Sequence, residues 1–355
     1  MRPAVALLCL ALLPATAGGG GVPVLPAGAA MEVERAAHTA TRLADGRVLV
    51  AGGIRAGEAT LASAVLYDPV ARDFVPTGGM TTVRSGHTAT LLKSGLVLLA
   101  GGFDDEAPVR TAELYDPATG RFTRTGSLTA PRGGATATLL RDGRVLVVGG
   151  YDGDRSLASA DLYDPATGRF TRTGAMHWAR AAHTGTRLRD GRVLVAGGNT
   201  PDRVLRSAEI FDPQTGRFSV TGALTIRRHK HAAALLGNGR VLVLGGSDER
   251  DWDGRYRSAE VYDPRTKRFS RTGLLSQMRF KLPDAVAVTP SGAVLVAGGA
   301  QVVDRFHGGQ FVPVARLDAA RYYSTATLLR DGSLLVLGGY DRAIRPTAQS
   351  FLYRP

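Results

Sequence analysis

The sequence predicts an all-β protein, a seven-bladed β-propeller, and three observations lead to this fold class. A glycine pair recurs seven times, at intervals of 49, 48, 48, 48, 53 and 40 residues. Before each pair, two runs of β-branched and apolar residues flank an Asp-Gly, Asn-Gly or Ser-Gly turn. After it come two more strand-like runs, such as AELYDP at 112–117 and RFTRTG at 121–126. Four antiparallel strands in about 50 residues form one propeller blade.

The first two strands of each repeat form a hairpin around the turn dipeptide. In the third repeat, Asp142-Gly143 separates ATATLL at 135–140 from RVLVV at 144–148. Asp-Gly is typical of a type I′ turn, because both central residues of that turn need a positive φ angle. The third strand ends at Asp-Pro, and the following Pro-x-Thr-Gly sequence turns the chain into the fourth strand.

Three features recur in a fixed order: the glycine pair, then Tyr-Asp-Pro, then an aromatic residue about seven positions later. This pattern resembles the kelch repeat, and it covers essentially all of residues 22–355. The aromatic residue is a phenylalanine in six repeats: Phe74, Phe122, Phe170, Phe218, Phe269 and Phe311. The resemblance implies a propeller that serves as an interaction scaffold, as many kelch propellers do.

The two ends of the repeat array complete one blade together. The last repeat ends with SFLYRP at 350–355, a third strand without a fourth. The segment VLPAGAAM at 24–31 resembles FVPTGGM at 74–80, which ends a fourth strand. We therefore expect an N-terminal strand within 22–31 to close the last blade and remove its exposed edge. The predicted units span about residues 31–80, 81–130, 131–179, 180–227, 228–278, 279–320 and 321–355.

Residues 1–17 have the features of a secretory signal peptide, namely Arg2, an apolar run to Leu13 and Ala-Thr-Ala at 15–17. The run is too short for a membrane-spanning helix of ~20 residues, and we predict no transmembrane segment. Cleavage near Ala17 would leave one propeller domain, 18–355, in a bacterial periplasm or secreted from the cell. The single cysteine lies in the signal segment, which excludes a disulfide framework in the rest of the chain.

The chain carries 44 Lys+Arg against 31 Asp+Glu, a formal net charge of +13. A hydrophobic content of 44% excludes a disordered chain. Basic residues lie at both ends of the predicted strands, and no nucleic-acid motif accompanies them. We therefore expect a protein that does not bind nucleic acid.

A four-stranded meander separates two faces of the disc. The a–b and c–d turns lie on one side, the turn face, and the b–c and d–a loops lie on the other, the loop face. The turns are nearly constant among the repeats, whereas the loops vary in length and sequence. We therefore predict that the ligand-binding surface lies on the loop face. Each repeat contributes one cation to this face, 17 residues before its first glycine: Arg35, Arg84, Arg132, Arg180, Arg228, Lys281 and Arg321.

A ring of these cations at the channel mouth would attract carboxylate, phosphate or sulfate groups. The alternative is that a cation repeated in every blade bonds the carbonyl groups of neighbouring loops. Aromatic residues on the same face could stack on a sugar, contact a protein partner or pack between blades: Trp178, Trp252, Tyr256 and Tyr322.

Three residues after the cation, four repeats carry a histidine: His38, His87, His183 and His231. Each belongs to a different blade, and nothing in the sequence brings three of them around one ion. We predict buried histidines that bond a neighbouring strand, and no metal site. We also assign no cofactor and no catalytic residue.

We expect an exported, non-enzymatic, monomeric binding protein whose basic loop face takes an acidic protein segment or an anionic glycan such as an envelope polysaccharide. The alternative is an enzyme acting on a sugar acid, since exported bacterial proteins similar in their kelch repeats include a sialic-acid mutarotase. The ring arginines would then clamp the carboxylate of the sugar, with an unidentified acid/base residue. A galactose oxidase is excluded, because its cross-linked tyrosine needs a cysteine and residues 18–355 have none.

Overall fold

The structure, a computed structural model, describes residue 23 and residues 25–355. Its regular elements are strands, apart from one short 3₁₀ helix, Ala56–Glu58. They form seven four-stranded antiparallel sheets, which confirms the predicted seven-bladed β-propeller. The predicted signal peptide, 1–17, lies outside the described residues.

The strands are numbered in chain order, and each blade takes four of them. Blades one to three contain β2 (Thr39–Arg42), β3 (Val48–Ala51), β4 (Ala64–Asp68), β5 (Asp73–Pro76), β6 (Thr88–Leu91), β7 (Val97–Ala100), β8 (Ala112–Asp116), β9 (Arg121–Arg124), β10 (Thr136–Leu139), β11 (Val145–Val148), β12 (Ala160–Asp164) and β13 (Arg169–Arg172). Blades four and five contain β14 (Thr184–Arg187), β15 (Val193–Ala196), β16 (Ala208–Asp212), β17 (Arg217–Val220), β18 (Ala232–Leu235), β19 (Val241–Leu244), β20 (Ala259–Asp263) and β21 (Arg268–Arg271). Blades six and seven contain β22 (Val286–Val288), β23 (Val294–Val296), β24 (Val302–His307), β25 (Gln310–Arg316), β26 (Thr325–Leu328), β27 (Leu334–Leu337), β28 (Gln349–Tyr353) and β1 (Ala27–Ala30).

The N-terminal strand β1 closes the last blade, as predicted. Ala27 pairs with Phe351 and Ala30 with Gln349, and the sheet order is β1-β28-β27-β26. Leu25, just before β1, is buried in the same apolar cluster as Phe351. The strand therefore covers the edge that β28 would otherwise expose.

The apolar cores lie between neighbouring blades. The second strand of a blade is buried along its length, as in Val145–Val148. The recurring aromatic pair packs beside it, and in blade two the ring centroids of Tyr115 and Phe122 are 4.7 Å apart. The Tyr115 hydroxyl also bonds the hydroxyl of Thr77 in blade one at 2.9 Å. The aromatic residues of the repeat therefore join adjacent blades.

The glycine pair lies where the next blade approaches most closely. In blade two, Gly101 has a φ of 66° and Gly102 a φ of 94°. A Cβ atom on Gly101 would lie 2.5 Å from the carbonyl oxygen of Arg132 in blade three. Gly102 donates its N–H to that same carbonyl at 2.8 Å. Any larger residue would push the two blades apart, which explains why the pair recurs.

A ring of backbone hydrogen bonds surrounds the channel just before the inner strands. Gly86 donates its N–H to the Ala37 carbonyl at 2.9 Å, and Ala182 donates to the Gly134 carbonyl at 3.0 Å. One residue per blade adopts a positive φ at this point: Ala37, Gly86, Gly134, Ala182, Lys230, Lys281 and Tyr323. These bonds hold neighbouring blades at a fixed distance around the axis.

Candidate functional site

The arginines predicted for blades one to five are buried inside their own blades. Arg84 is 0% exposed, and its Nη1 donates to the carbonyls of Gly101 at 2.9 Å and Thr111 at 3.0 Å. The same two bonds, to the first glycine and to the residue before the third strand, are made by Arg35, Arg132, Arg180 and Arg228. These guanidinium groups bond carbonyls within the blade, and do not line the mouth of the channel.

Blades six and seven depart from the predicted positions. The buried cation of blade six is Arg279, which bonds the Gly298 carbonyl at 2.9 Å. Lys281 corresponds instead to Lys230, because both occupy the positive-φ position of the inner ring. Counting back from the glycine pair misses Arg279, since blade six has two extra residues in this segment. Arg321 of blade seven is 6% exposed and bonds the Asp318 carboxylate at 2.8 Å.

A buried carboxylate accompanies the cation in blades two to six, and these acids were not predicted from the sequence. In blade two, the Arg84–Glu113 pair measures 2.8 Å and both side chains are fully buried. Glu113 also accepts the N–H of Thr81, in the loop that enters the blade, at 2.7 Å. The sequence feature that could have revealed these residues is an acid inside the otherwise apolar third strand of each of these blades: Glu113, Asp161, Glu209, Glu260 and Asp304.

The charges of these pairs balance inside the protein. Burial lowers the pKa of Arg84, and the hydrogen bond and charge of Glu113 oppose that effect. Blade one has Val65 at the position of the acid, and burial lowers the pKa of Arg35 to about 10. The guanidinium groups therefore stay charged at neutral pH, and their hydrogen bonds are made to carbonyl and carboxylate groups inside the blade.

The four histidines are buried and bond a threonine of the preceding blade, as predicted. His87 Nε2 lies 3.0 Å from Thr39 Oγ1, and His183 Nε2 lies 3.0 Å from Thr136 Oγ1. Burial, then the nearby Arg84 charge, lowers the pKa of His87 to about 3. Neutral imidazoles therefore link the inner strands. Among the described residues, no three His, Cys, Asp or Glu side chains form a group that could hold a metal.

The aromatic residues predicted for the loop face lie in two places. Trp252, in the long loop of blade five, contacts Phe280 and Tyr322 with centroid distances of 4.7 Å to each. Tyr322 is only 2% exposed, so its ring packs between blades. Tyr256 lies 5.5 Å from the Arg228 guanidinium, and the half-buried Trp178 lies beside His177. Contact of these rings with a ligand stays a prediction.

The Lys281 side chain packs against the aromatic cluster of Trp252, Phe280 and Tyr322. Its ammonium lies 4.5 Å from the centroid of the Trp252 ring and 4.9 Å from that of Phe280. The ammonium also donates to the Tyr340 hydroxyl at 2.7 Å. Burial, followed by the charge of Lys230, lowers the pKa of Lys281 to about 8. The side chain is 8% exposed, and it fastens the loop of blade five to blades six and seven.

The loop face is of mixed charge. The b–c loops contain ten Lys/Arg and twelve Asp/Glu, counted over residues 54–62, 103–111, 151–159, 199–207, 247–258, 300–301 and 340–348. Many of these charges pair with each other, as Arg345 does with Asp341 at 2.7 Å. With the repeated arginines buried, these loops do not form a basic surface.

The turn face carries an excess of cations in its a–b turns. The a–b turns hold eight Lys/Arg and four Asp/Glu, counted over residues 43–47, 92–96, 140–144, 188–192, 236–240, 289–293 and 329–333. Three of the arginines pair with an aspartate of their own turn, as Arg144 does with Asp142 at 2.8 Å. Six exposed cations in or beside these turns, here named the turn-face collar, bond only carbonyl oxygens of the adjacent blade: Arg42, Lys93, Arg141, Arg187, Arg189 and Arg330.

The cations of the turn-face collar form no salt bridge within the part of the chain that the structure describes. Arg42 donates to the Leu328 carbonyl at 2.7 Å, and Arg187 donates to the Leu139 carbonyl at 2.9 Å. Each guanidinium has five N–H donors, so most of them remain available to a ligand. These exposed cations are not the residues predicted from the sequence, and they come from five of the seven blades.

Comparisons with known proteins agree with this architecture. The Kelch motif matches residues 132–177 and 228–272, in blades three and five. No curated protein matches the sequence. A solved structure of a fungal alcohol oxidase of the AA5 family, in complex with copper, is similar with a TM-score of 0.74 and 16% identity. The similarity covers 94% of this chain and 76% of that chain, and at this identity it shows the fold alone. No helix in the described residues has the length and apolar character to cross a membrane.

Proposed function

We propose that this seven-bladed propeller of kelch repeats is an exported, non-enzymatic binding protein that takes an acidic protein segment or an anionic envelope polysaccharide on its turn-face collar. The features of residues 1–17 support export, and the fold supports a scaffold or binding role. The sequence alone predicted the same partners on the loop face.

The observation that carries the proposal is the turn-face collar itself. Six exposed cations form an arc over five consecutive blades, seven and one to four, and none of them has a salt bridge to a carboxylate among the described residues. Cations spaced over several blades suit an extended polyanion better than a small anion, because one chain can contact several of them in turn. Grooves between adjacent turns continue the surface outward, and one of about 520 Å³ beside Arg189 is lined by three arginines and two aspartates.

The mutarotase alternative receives less support. It assigned the carboxylate clamp to the repeated arginines, whose guanidinium groups bond carbonyls inside the blades. The cavity on the axis is lined by none of them within the described residues. A sugar acid in the channel would therefore lack the guanidinium that the alternative requires.

Reversing three charges of the collar tests the proposal. We expect the triple variant Arg141→Glu, Arg189→Glu and Arg330→Glu to bind polyglutamate or polygalacturonate about 100-fold more weakly than the unchanged protein, because three charge-assisted contacts become repulsive. Binding would be measured by fluorescence anisotropy at several salt concentrations. Circular dichroism would confirm that the variant is folded.

A matched control changes the same charge on the opposite face. Arg203→Glu, Arg206→Glu and Arg342→Glu replace three exposed loop-face arginines, and this triple variant should bind as the unchanged protein does. Preference for one polymer over the other would identify the partner as peptide or glycan. If the loop-face variant loses binding and the collar variant keeps it, the site lies on the loop face.

A further inference from the structure

The channel along the axis contains a cavity of about 500 Å³ just inside the ring of backbone hydrogen bonds. Its wall includes small residues from four blades, Ala37, Gly86, Gly134 and Ala182, together with the buried histidines. Burial keeps those histidines neutral, as the lowered pKa of His183, about 3, indicates. The cavity wall is therefore mostly small and uncharged.

An insertion in blade six places a carboxylate in this cavity. Leu282 takes the place of the histidine, since its Cδ1 would lie 2.7 Å from a Cβ on Gly245, where four other blades have an imidazole. The next two residues, Pro283 and Asp284, are the extra pair, and both line the cavity. The other blades pass directly from the histidine position into the inner strand.

The backbone around Asp284 is held in place from two sides. Ala285 donates its N–H to the Leu282 carbonyl at 3.1 Å, which closes a turn. The Asp284 carbonyl accepts the N–H of Ala326 in blade seven at 2.7 Å. Asp284 has a φ of 58°, a conformation that Asp and Asn tolerate better than most residues. The insertion is thus a fixed turn with its acid in the channel.

The Asp284 carboxylate has no hydrogen-bond partner and no ion pair among the described residues. It is accessible from the channel and yet lies deep among protein atoms, and desolvation raises its pKa. Among the described residues that line the cavity, Lys230 is the one cation, and it is already bonded to the Asp251 carboxylate at 2.8 Å. An unpaired carboxylate that faces the cavity offers its oxygens to a charge-assisted hydrogen bond from a cationic ligand.

We infer that the channel binds a small organic ammonium compound, with its amino group on the Asp284 carboxylate and its aliphatic part along the small neutral wall. A single carboxylate is too few ligands for a divalent metal ion, which needs several oxygen donors. An anion would be repelled by the unpaired acid. This site is separate from the proposed function, which concerns a polyanion on the turn face.

Calorimetric titration of the full propeller with butylammonium chloride tests the inference. We expect saturable binding of one ion per chain, and binding of neutral 1-butanol at least about tenfold weaker, because it lacks the charge-assisted hydrogen bond. Asp284→Asn should weaken butylammonium binding by at least about tenfold. Asparagine tolerates the same positive φ, so the turn should keep its conformation. Asp284→Glu, which retains the charge, should keep measurable binding.

Two controls make a negative result interpretable. Asp202→Asn neutralises an exposed acid on the loop face and should leave butylammonium binding unchanged. The collar triple variant should also bind butylammonium normally, so that failure of the turn-face proposal and failure of this one are distinguishable. Equal binding by the Asp284→Asn variant and the unchanged protein would overturn the inference, as would absence of saturable binding at millimolar butylammonium.

Discussion

Replacing Glu209 by alanine should lower the free energy of unfolding by about 3–5 kcal/mol, the cost of leaving a buried charge without its partner. The Glu209 carboxylate lies 2.9 Å from the Arg180 guanidinium, and both side chains are fully buried. It also accepts the backbone N–H groups of His177 at 2.8 Å and Trp178 at 3.3 Å. The substitution would therefore strand a guanidinium and two backbone donors between blades three and four. Urea unfolding followed by tryptophan fluorescence would measure the loss.

Blade one supplies a matched control for this experiment. Val65 occupies the second position of strand β4, as Glu209 does in β16, but it has no charged partner. Val65→Ala removes a half-buried side chain at the same place in the repeat and should cost about 1 kcal/mol. A Glu209→Ala variant that loses no more than Val65→Ala would show that the buried ion pairs contribute little. Glu209→Gln, which keeps the acceptor and removes the charge, should fall between the two and serves if the alanine variant does not fold.

Acidification from pH 7 to pH 5 should destabilise the propeller by about 2 kcal/mol for each fully buried histidine. Burial lowers the pKa of His87 and His183 to about 3, whereas the unfolded chain has the ordinary value near 6.5. Between these two values the unfolded chain binds protons that the folded chain does not. Stability is therefore full above pH 6.5 and falls as the pH decreases toward 3. The measurement is the unfolding midpoint in urea across this range.

Single substitutions should show which residue carries the pH dependence. His87→Gln can keep a hydrogen bond to Thr39, and it should reduce the difference in unfolding free energy between pH 7 and pH 5 by about 2 kcal/mol. His307→Gln, at an exposed position of β24, is the control and should leave that difference unchanged. An unaltered pH profile in the His87→Gln variant would mean that this imidazole is not the group being titrated.

The two faces of the propeller differ in what their charges do. On the loop side, the repeated arginines hold each blade together through carbonyl and carboxylate contacts, as Arg228 does with Glu260 at 2.9 Å. On the turn side, exposed cations such as Arg141 and Arg189 bond the next blade through a carbonyl and keep other donors available. Repetition of a charged residue in several blades is thus compatible with either a structural or a binding role. A buried charged side chain indicates the structural role, whereas an exposed one is available to a partner.

The sequence by itself determined the number of blades, the strand order and the closure by β1. These features follow from local signals, since a turn dipeptide such as Asp142-Gly143 and the alternation of its flanking strands need only neighbouring residues. The unfinished last repeat and the spare strand at 24–31 were sufficient to predict how the ends meet. The burial of the histidines was predicted as well, because each lies at the same position of its repeat and nothing in the sequence brings three of them around one ion.

Only the tertiary structure decided which charged residues are available to a partner. Arg84 and Glu113 are 29 residues apart in the chain, and their pairing depends on the packing of two strands and a loop. Counting back from the glycine pair of blade six gave Lys281 instead of Arg279, because this blade has two extra residues between the cation and the glycine pair. The same insertion brings Asp284 into the channel. Burial and pairing are properties of strands that meet in space, and a repeat pattern fixes the order of residues along the chain but not their exposure to solvent.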